Sequence, residues 1–325
     1  MNSVKRNHFR VLAVAFFLLA PLFGQGTEGY LNFESPQVKP ISVARIGGHD
    51  YVLACNTPDG SVEVYDTIGM KLIKRVPVGQ EPVSVVYSAA LSRVYVANMV
   101  GDSISSIFVS SDGPSRPLRV QLERTQWVGD EPMMVAVHEP SRTLFVTHNS
   151  TSSMSWRDGR TLLPVVPGAA ERIYLVDSLT SVKAALKEPR AVAMVGSKLF
   201  VLGFRGGHSF FHDQDLWSFD FVTGRLSTLG GLGTQKYAMA AASNGDLWAV
   251  GGEAQNFLNG LKAVADVPTG FVTSLLHRVT GAGGQSPKTM TRDLNADSSG
   301  KPVKKEMALA HPTDVALMEK GGSVT

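Results

Sequence analysis

Short runs of β-branched and aromatic residues, each broken by a turn residue, recur along the chain from about position 40 onward. They follow a fixed order. A proline with a large apolar residue three places behind it opens each copy: Pro40/Val43, Pro82/Val85, Pro132/Val135, Pro189/Val192 and Pro312/Val315. One further copy has Lys236 in the proline slot and Met239 behind it. Successive slots lie 42 to 57 residues apart, with one gap of 76. About a dozen residues after each of the first five openings comes a second apolar run. These runs are LACN at 53–56, YVAN at 95–98, FVTH at 145–148, FVLG at 200–203 and WAVG at 248–251. A third, alternating run follows in SVEVYD at 61–66, RIYLVD at 172–177 and LWSFDF at 216–221.

Runs of this length, spaced by turns, predict antiparallel strands. Three to four strands per unit, in units of about 40–50 residues, are the mark of a β-propeller. The fold class predicted is all-β, with four-stranded blades, five complete units and a sixth that stops after HPTDVALMEKGGSVT. The residues behind the slots, Val43, Val85, Val135, Val192, Met239 and Val315, are expected on buried innermost strands. The second runs end in Asn56, Asn98, His148, Gly203 and Gly251. Four of these five are Asn or Gly, the residues that most readily take positive φ, so a tight turn is expected there. The stretches 149–170 and 281–305 are polar and read as insertions at loop tips.

YVAN followed by a polar turn, with G-x-x-P opening the unit at Gly79–Pro82 and Gly129–Pro132, resembles the YVTN-type propeller family. The similarity spans roughly residues 38–320 and weakens where Gly203 and Gly251 replace the Asn and where Leu53 replaces the Tyr. The resemblance implies a bacterial or archaeal protein, a seven-bladed ring and a binding or scaffold role; the unfinished sixth unit reads as a fragment of such a ring, the alternative being a natural five-bladed ring with a loose tail. Related propellers are joined to c-type cytochrome segments in exported redox proteins.

The start of the chain has another character. Lys5, Arg6 and Arg10 precede the 13-residue apolar run Val11–Phe23, too short to span a bilayer as a helix. Small residues follow at Gly24 and Gly26. Residues 1–26 read as a signal peptide, with 27–325 as the mature propeller, periplasmic or secreted, beginning near Thr27. The formal charge of +3 comes from that leader, since the remainder holds equal numbers of acidic and basic residues. A broad electrostatic grip on nucleic acid is therefore not expected, and no later segment has the length of a membrane span.

Composition narrows the chemistry further. Hydrophobic residues make up 43% and charged residues 18%, enough apolar chain for a sizeable core. Cys55 is the only cysteine, so there is no internal disulfide and no C-x-x-C-H haem attachment. It lies in a strand pattern and reads as a structural thiol. Nucleophile-elbow, zincin and P-loop motifs are all missing. Trp127, Trp156, Trp217 and Trp248 read as packing residues between blades.

Two groups of residues carry candidate chemistry. Lys39, Glu81, Glu131, Glu188, Gln235 and His311 each precede a slot, where a propeller chain passes from an outer strand into the next innermost strand. They are expected to gather at one mouth of the central channel, where carboxylates suit a cation or a basic partner. The segment RGGHSFFHDQD offers His208, His212, Asp213 and Asp215 as metal ligands, set against the simpler reading of a solvated loop. The function expected is a non-catalytic binding or scaffold propeller of the cell envelope, taking an envelope protein or small ligand at its face. No cofactor is expected within these residues. The alternatives are a redox protein whose haem c segment lies beyond residue 325 and a lactonase-like hydrolase.

Overall fold

The computed structural model describes residues 37–113, 116–165, 172–174, 187–205, 216–229, 232–233, 235–254, 272–284, 286–301, 315–317, 319–320 and 323–324. Residues 1–26, read as the leader, lie outside these. The described residues belong to one compact unit within Ser35–Thr325. All regular structure among the described residues is β. None of their helices is long and apolar enough to cross a membrane.

The chain is a β-propeller built of four-stranded antiparallel blades. Blade 1 comprises β1 (Ile41–Ile46), β2 (His49–Asn56), β3 (Ser61–Asp66) and β4 (Lys71–Pro77). Blade 2 comprises β5 (Pro82–Ser88), β6 (Arg93–Asn98), β7 (Ser103–Ser110) and β8 (Arg119–Trp127). Blade 3 comprises β9 (Pro132–His138), β10 (Thr143–His148), β11 (Ser153–Asp158) and β12 (Arg172–Tyr174). Blade 4 runs through β13 (Lys187–Val195), β14 (Lys198–Arg205), β15 (Leu216–Asp220) and β16 (Arg225–Leu229). Blade 5 runs through β17 (Gln235–Ala241), β18 (Leu247–Ala254), β19 (Val272–Thr280) and β20 (Lys288–Asp293). One backbone pair, Arg205 with Gln235, joins the last two. A two-stranded pair, β21 (Glu319–Lys320) and β22 (Ser323–Val324), follows.

Because side chains alternate across a strand, each blade offers one apolar set to the blade before it and another to the blade after. Leu53, Val64 and Val76 of blade 1 pack on Val85, Val94 and Ile107 of blade 2. Tyr95 and Ile104 meet Val135, Leu144 and Val146. Between blades 3 and 4 the contact is aromatic, with Trp156 edge-on to Phe219 at 5.5 Å and Phe145 stacked on Phe221 at 5.2 Å. Phe200, Leu202 and Leu216 then meet Met239, Leu247 and Ala249. Full burial of each such side chain stabilises the fold by about 1.5–3 kcal/mol. Cys55 packs beside the first of these clusters, and burial pushes its thiol up to about 12.

The ladders correct several expectations. Val85, Val135, Val192 and Met239 are buried on innermost strands, but Val43 is 64% exposed. Counting from the polar residue that ends the second strand explains part of this. Val85 pairs with Val96, two before Asn98, whereas Ala54, two before Asn56, pairs with Ile41. The first unit is therefore offset by two residues, and Pro40 does not occupy the slot of Pro82. Val315 is half-buried and lies outside any strand.

The stretches read as insertions at 149–170 and 281–305 also contribute strands. Met154 and Trp156 on β11 are buried, while Ser153 and Ser155 between them disguise the strand as a polar loop. RIYLVD supplies the outermost strand of blade 3 rather than its third. β20 is likewise outermost and mostly exposed, and Met290, 63% exposed, is its one apolar residue. Trp127, at the end of the outermost strand β8, is 62% exposed and does not pack between blades as Trp156 and Trp217 do. Other outermost-strand residues are covered, as Val76 of β4 is at the junction with blade 2.

Candidate binding site at the channel mouth

In blades 1 to 3 the residue ending the second strand tethers a hairpin instead of forming a turn. Asn98 Nδ2 donates to Ser103 Oγ at 3.1 Å and to Ser105 Oγ at 3.0 Å. His148 Nε2 lies 2.7 Å from Ser155 Oγ, and Asn56 Nδ2 donates to Glu63 Oε1 at 3.2 Å. None of Asn56, Asn98, His148, Gly203 or Gly251 has positive φ. The left-handed residues come four places later, at Gly60, Asp102 and Ser152. The turn reading of these positions is thus corrected: polar side chains are selected here to satisfy one another in a buried stripe.

The G-x-x-P opening follows from the same tether. A Cβ on Gly79 would meet Asn98 Nδ2 at 2.5 Å, so only glycine passes beneath that side chain. Gly129 opens the next blade with φ 124, a conformation closed to other L-residues.

Between this glycine and the slot sit the predicted mouth residues. Glu81, Glu131 and Glu188 share one left-handed conformation, with φ of 52, 47 and 51. That geometry turns the Glu81 carbonyl to accept from Met99 N–H and the Glu131 carbonyl to accept from Asn149 N–H, each at 2.9 Å. The Glu131 carboxylate accepts from Asn149 Nδ2 at 2.9 Å, and Glu131 N–H donates to Asp102 Oδ1 at 2.9 Å. Gln235 opens β17 at the corresponding backbone position. Lys39 does not, because of the two-residue offset. It lies beside β5, bridged to Ser84 in parallel, and lines a small cavity with Met134 and Tyr237. His311, His208, His212, Asp213 and Asp215 lie outside the described residues. Among the described residues no three His, Cys, Asp or Glu side chains cluster as a metal site.

The sequence reading overlooked the next position along. Four innermost strands break register just behind the slot, between Pro82 and Ser84, at Pro132/Met134 opposite His148, between Pro189 and Ala191, and between Lys236 and Ala238. Each bulge lifts one residue off the ladder, and bulges re-aim side chains in this way. The residues are Val83, Met133, Arg190 and Tyr237. Val83 and Met133 pack on Val38, and Tyr237 lines a cavity of about 10 Å³ with Val38, Lys39 and Met134. Residues Gln37–Lys39 run through this centre, held by Val38 N–H and Lys39 N–H donating to Val83 O at 3.1 and 3.2 Å. The signal was present in the sequence as E-P-V, E-P-M and E-P-R, a column in which one charged residue replaces two apolar ones.

No protein-family model matches the chain, the YVTN type included, and no curated protein matches it by sequence. Solved structures do match in fold. Hydrazine synthase of Kuenenia stuttgartiensis is similar at 18% identity and a TM-score of 0.61, over 84% of this chain and 70% of that one. A protein from Lactobacillus plantarum is similar at 15% identity and a TM-score of 0.53, over 80% and 72%. A chain of the mitotic checkpoint complex is similar at 14% identity and a TM-score of 0.50, over 81% and 66%. At these identities the likeness is one of fold, and the fold is the β-propeller.

Proposed function

We propose that the chain is an exported, non-catalytic binding propeller of the cell envelope, with the channel mouth as its contact surface. The observation that carries this reading is the trio Glu81, Glu131 and Glu188 in one left-handed conformation. That conformation costs an L-residue roughly 1–2 kcal/mol, and a following proline favours extended backbone instead. Glycine or asparagine would satisfy the same backbone hydrogen bonds at lower conformational cost. Three successive blades nevertheless keep a carboxylate there, which suits a basic partner drawn to a concentrated negative field. The cationic stretch and short apolar run at 1–26 support export.

The test uses tetralysine as the probe. Wild-type chain should bind it with an affinity that falls as salt rises. The triple variant E81Q/E131Q/E188Q should bind at least about tenfold more weakly, the loss of roughly 1.4 kcal/mol. Equal binding by both proteins, or none by the wild type, would contradict the reading. The same preparation, recovered from an export-competent host, should begin near Thr27 by intact mass.

A further inference from the structure

Arg190 stands on the bulge of β13 and is only 6% exposed. Its Nη2 donates to Gln37 O at 2.7 Å. The guanidinium carbon lies 4.9 Å from the Phe204 ring centre and 5.8 Å from that of Tyr237. Nε is buried without a hydrogen-bond partner, and among the described residues no carboxylate forms an ion pair with the group. Burial pushes its pKa down, against the pull of Tyr237 and Glu188.

A buried cation with one hydrogen bond and two aromatic faces is an expensive choice for a fold. The fold does not demand it, because Val83 and Met133 fill the same bulge in blades 2 and 3. An arginine fork is well matched to the two oxygens of a carboxylate, which it takes through paired N–H donors. Lys39 provides a second cation at a small neighbouring cavity lined also by Ala191, next in sequence to Arg190, and by Tyr237, whose ring faces the guanidinium.

We propose that Arg190 is the receptor for a carboxylate group entering the channel, with Lys39 as the second cation; this rests on the mouth being a binding surface. The ligand carries that carboxylate either as a small free acid or as a polypeptide terminus. The buried, half-satisfied guanidinium is then completed only when the ligand is present.

The experiment is thermal unfolding of the full chain at constant ionic strength. Its arms are succinate, a tetrapeptide with a free C-terminus, the same peptide amidated, and inorganic phosphate. Succinate or the free-acid peptide should raise the midpoint of the wild type by several degrees. The stronger of the two responses identifies the source. That increment should vanish in R190M and shrink by more than half in R190K, which keeps the charge and loses the fork. No response to either carboxylate, an equal increment in both variants, or a response to phosphate alone would overturn the proposal. So would a large loss of stability in ligand-free R190M and R190K together, since Arg190 would then be a structural tether. The tetralysine test addresses the glutamates and this one Arg190, so either reading can fail without the other.

Discussion

Ile41 and Val85 hold the same station in adjacent blades. Each pairs with the residue two before the asparagine that ends the second strand, Ala54 ahead of Asn56 and Val96 ahead of Asn98. Val85 is 1% exposed and Ile41 is 59% exposed. Both are β-branched residues in regular antiparallel ladders, so neither propensity nor pairing separates them. What separates them is a neighbour: Val85 lies under Leu53 and Val64 of blade 1, while among the described residues no cluster covers the Ile41 face of blade 1. Burial in this fold therefore belongs to the junction between blades and not to the strand that carries the residue. An apolar face left open in this way accepts another sheet.

The largest effect should come from emptying a junction. Phe145 is buried between blades 3 and 4 and touches both Trp156 and Phe221. Phe145→Ala should cost about 3–5 kcal/mol in reversible urea unfolding, the cost of a large cavity that rigid sheets cannot collapse. A loss below about 1 kcal/mol would mean that the junction is not packed as described.

A pH titration sharpens the comparison in another blade. His277 takes the place in blade 5 that Ser105 holds in blade 2, for each pairs with the residue two before the end of the second apolar run, Ala249 before Gly251 and Val96 before Asn98. It lies 2.8 Å from Thr291 Oγ1, as Ser105 lies 2.8 Å from Thr125 Oγ1. Burial, with the Lys236 charge behind it, pulls the imidazole down to about 3. The folded state thus holds the ring neutral while the unfolded chain protonates it near 6.5. Stability supplied by this group is complete above that value and declines as pH falls towards 3, by about 1.4 kcal/mol per pH unit. In His277→Gln the decline over that window should be shallower by that amount. An unchanged slope would show that His277 is not buried neutral.

The strand order was legible because the innermost and second strands of blades 2 and 3 are largely buried, and their apolar runs stand out against polar turns. The outermost strands were not, since β8 and β20 are mostly exposed and carry loop-like composition. Ser153 and Ser155 hid β11 because buried hydroxyls bonded to Thr151 and His148 look the same in sequence as solvated ones. Pro40 misled the register of blade 1, where only the ladder to Asn56 reveals the offset. Of the candidate site, the glutamates were found from their place before proline. Arg190 was missed because a bulge changes where a side chain goes without changing the residue types around it.

The most direct measurement is the paired urea unfolding of Val85→Ala and Ile41→Ala. Val85→Ala should lower stability by about 1–3 kcal/mol, because it removes methyl groups from a closed junction. Ile41→Ala should change it by no more than about 0.5 kcal/mol, because its side chain already meets water. Equal losses from the two substitutions would contradict the account, since they would mean that both faces of blade 1 are covered in solution.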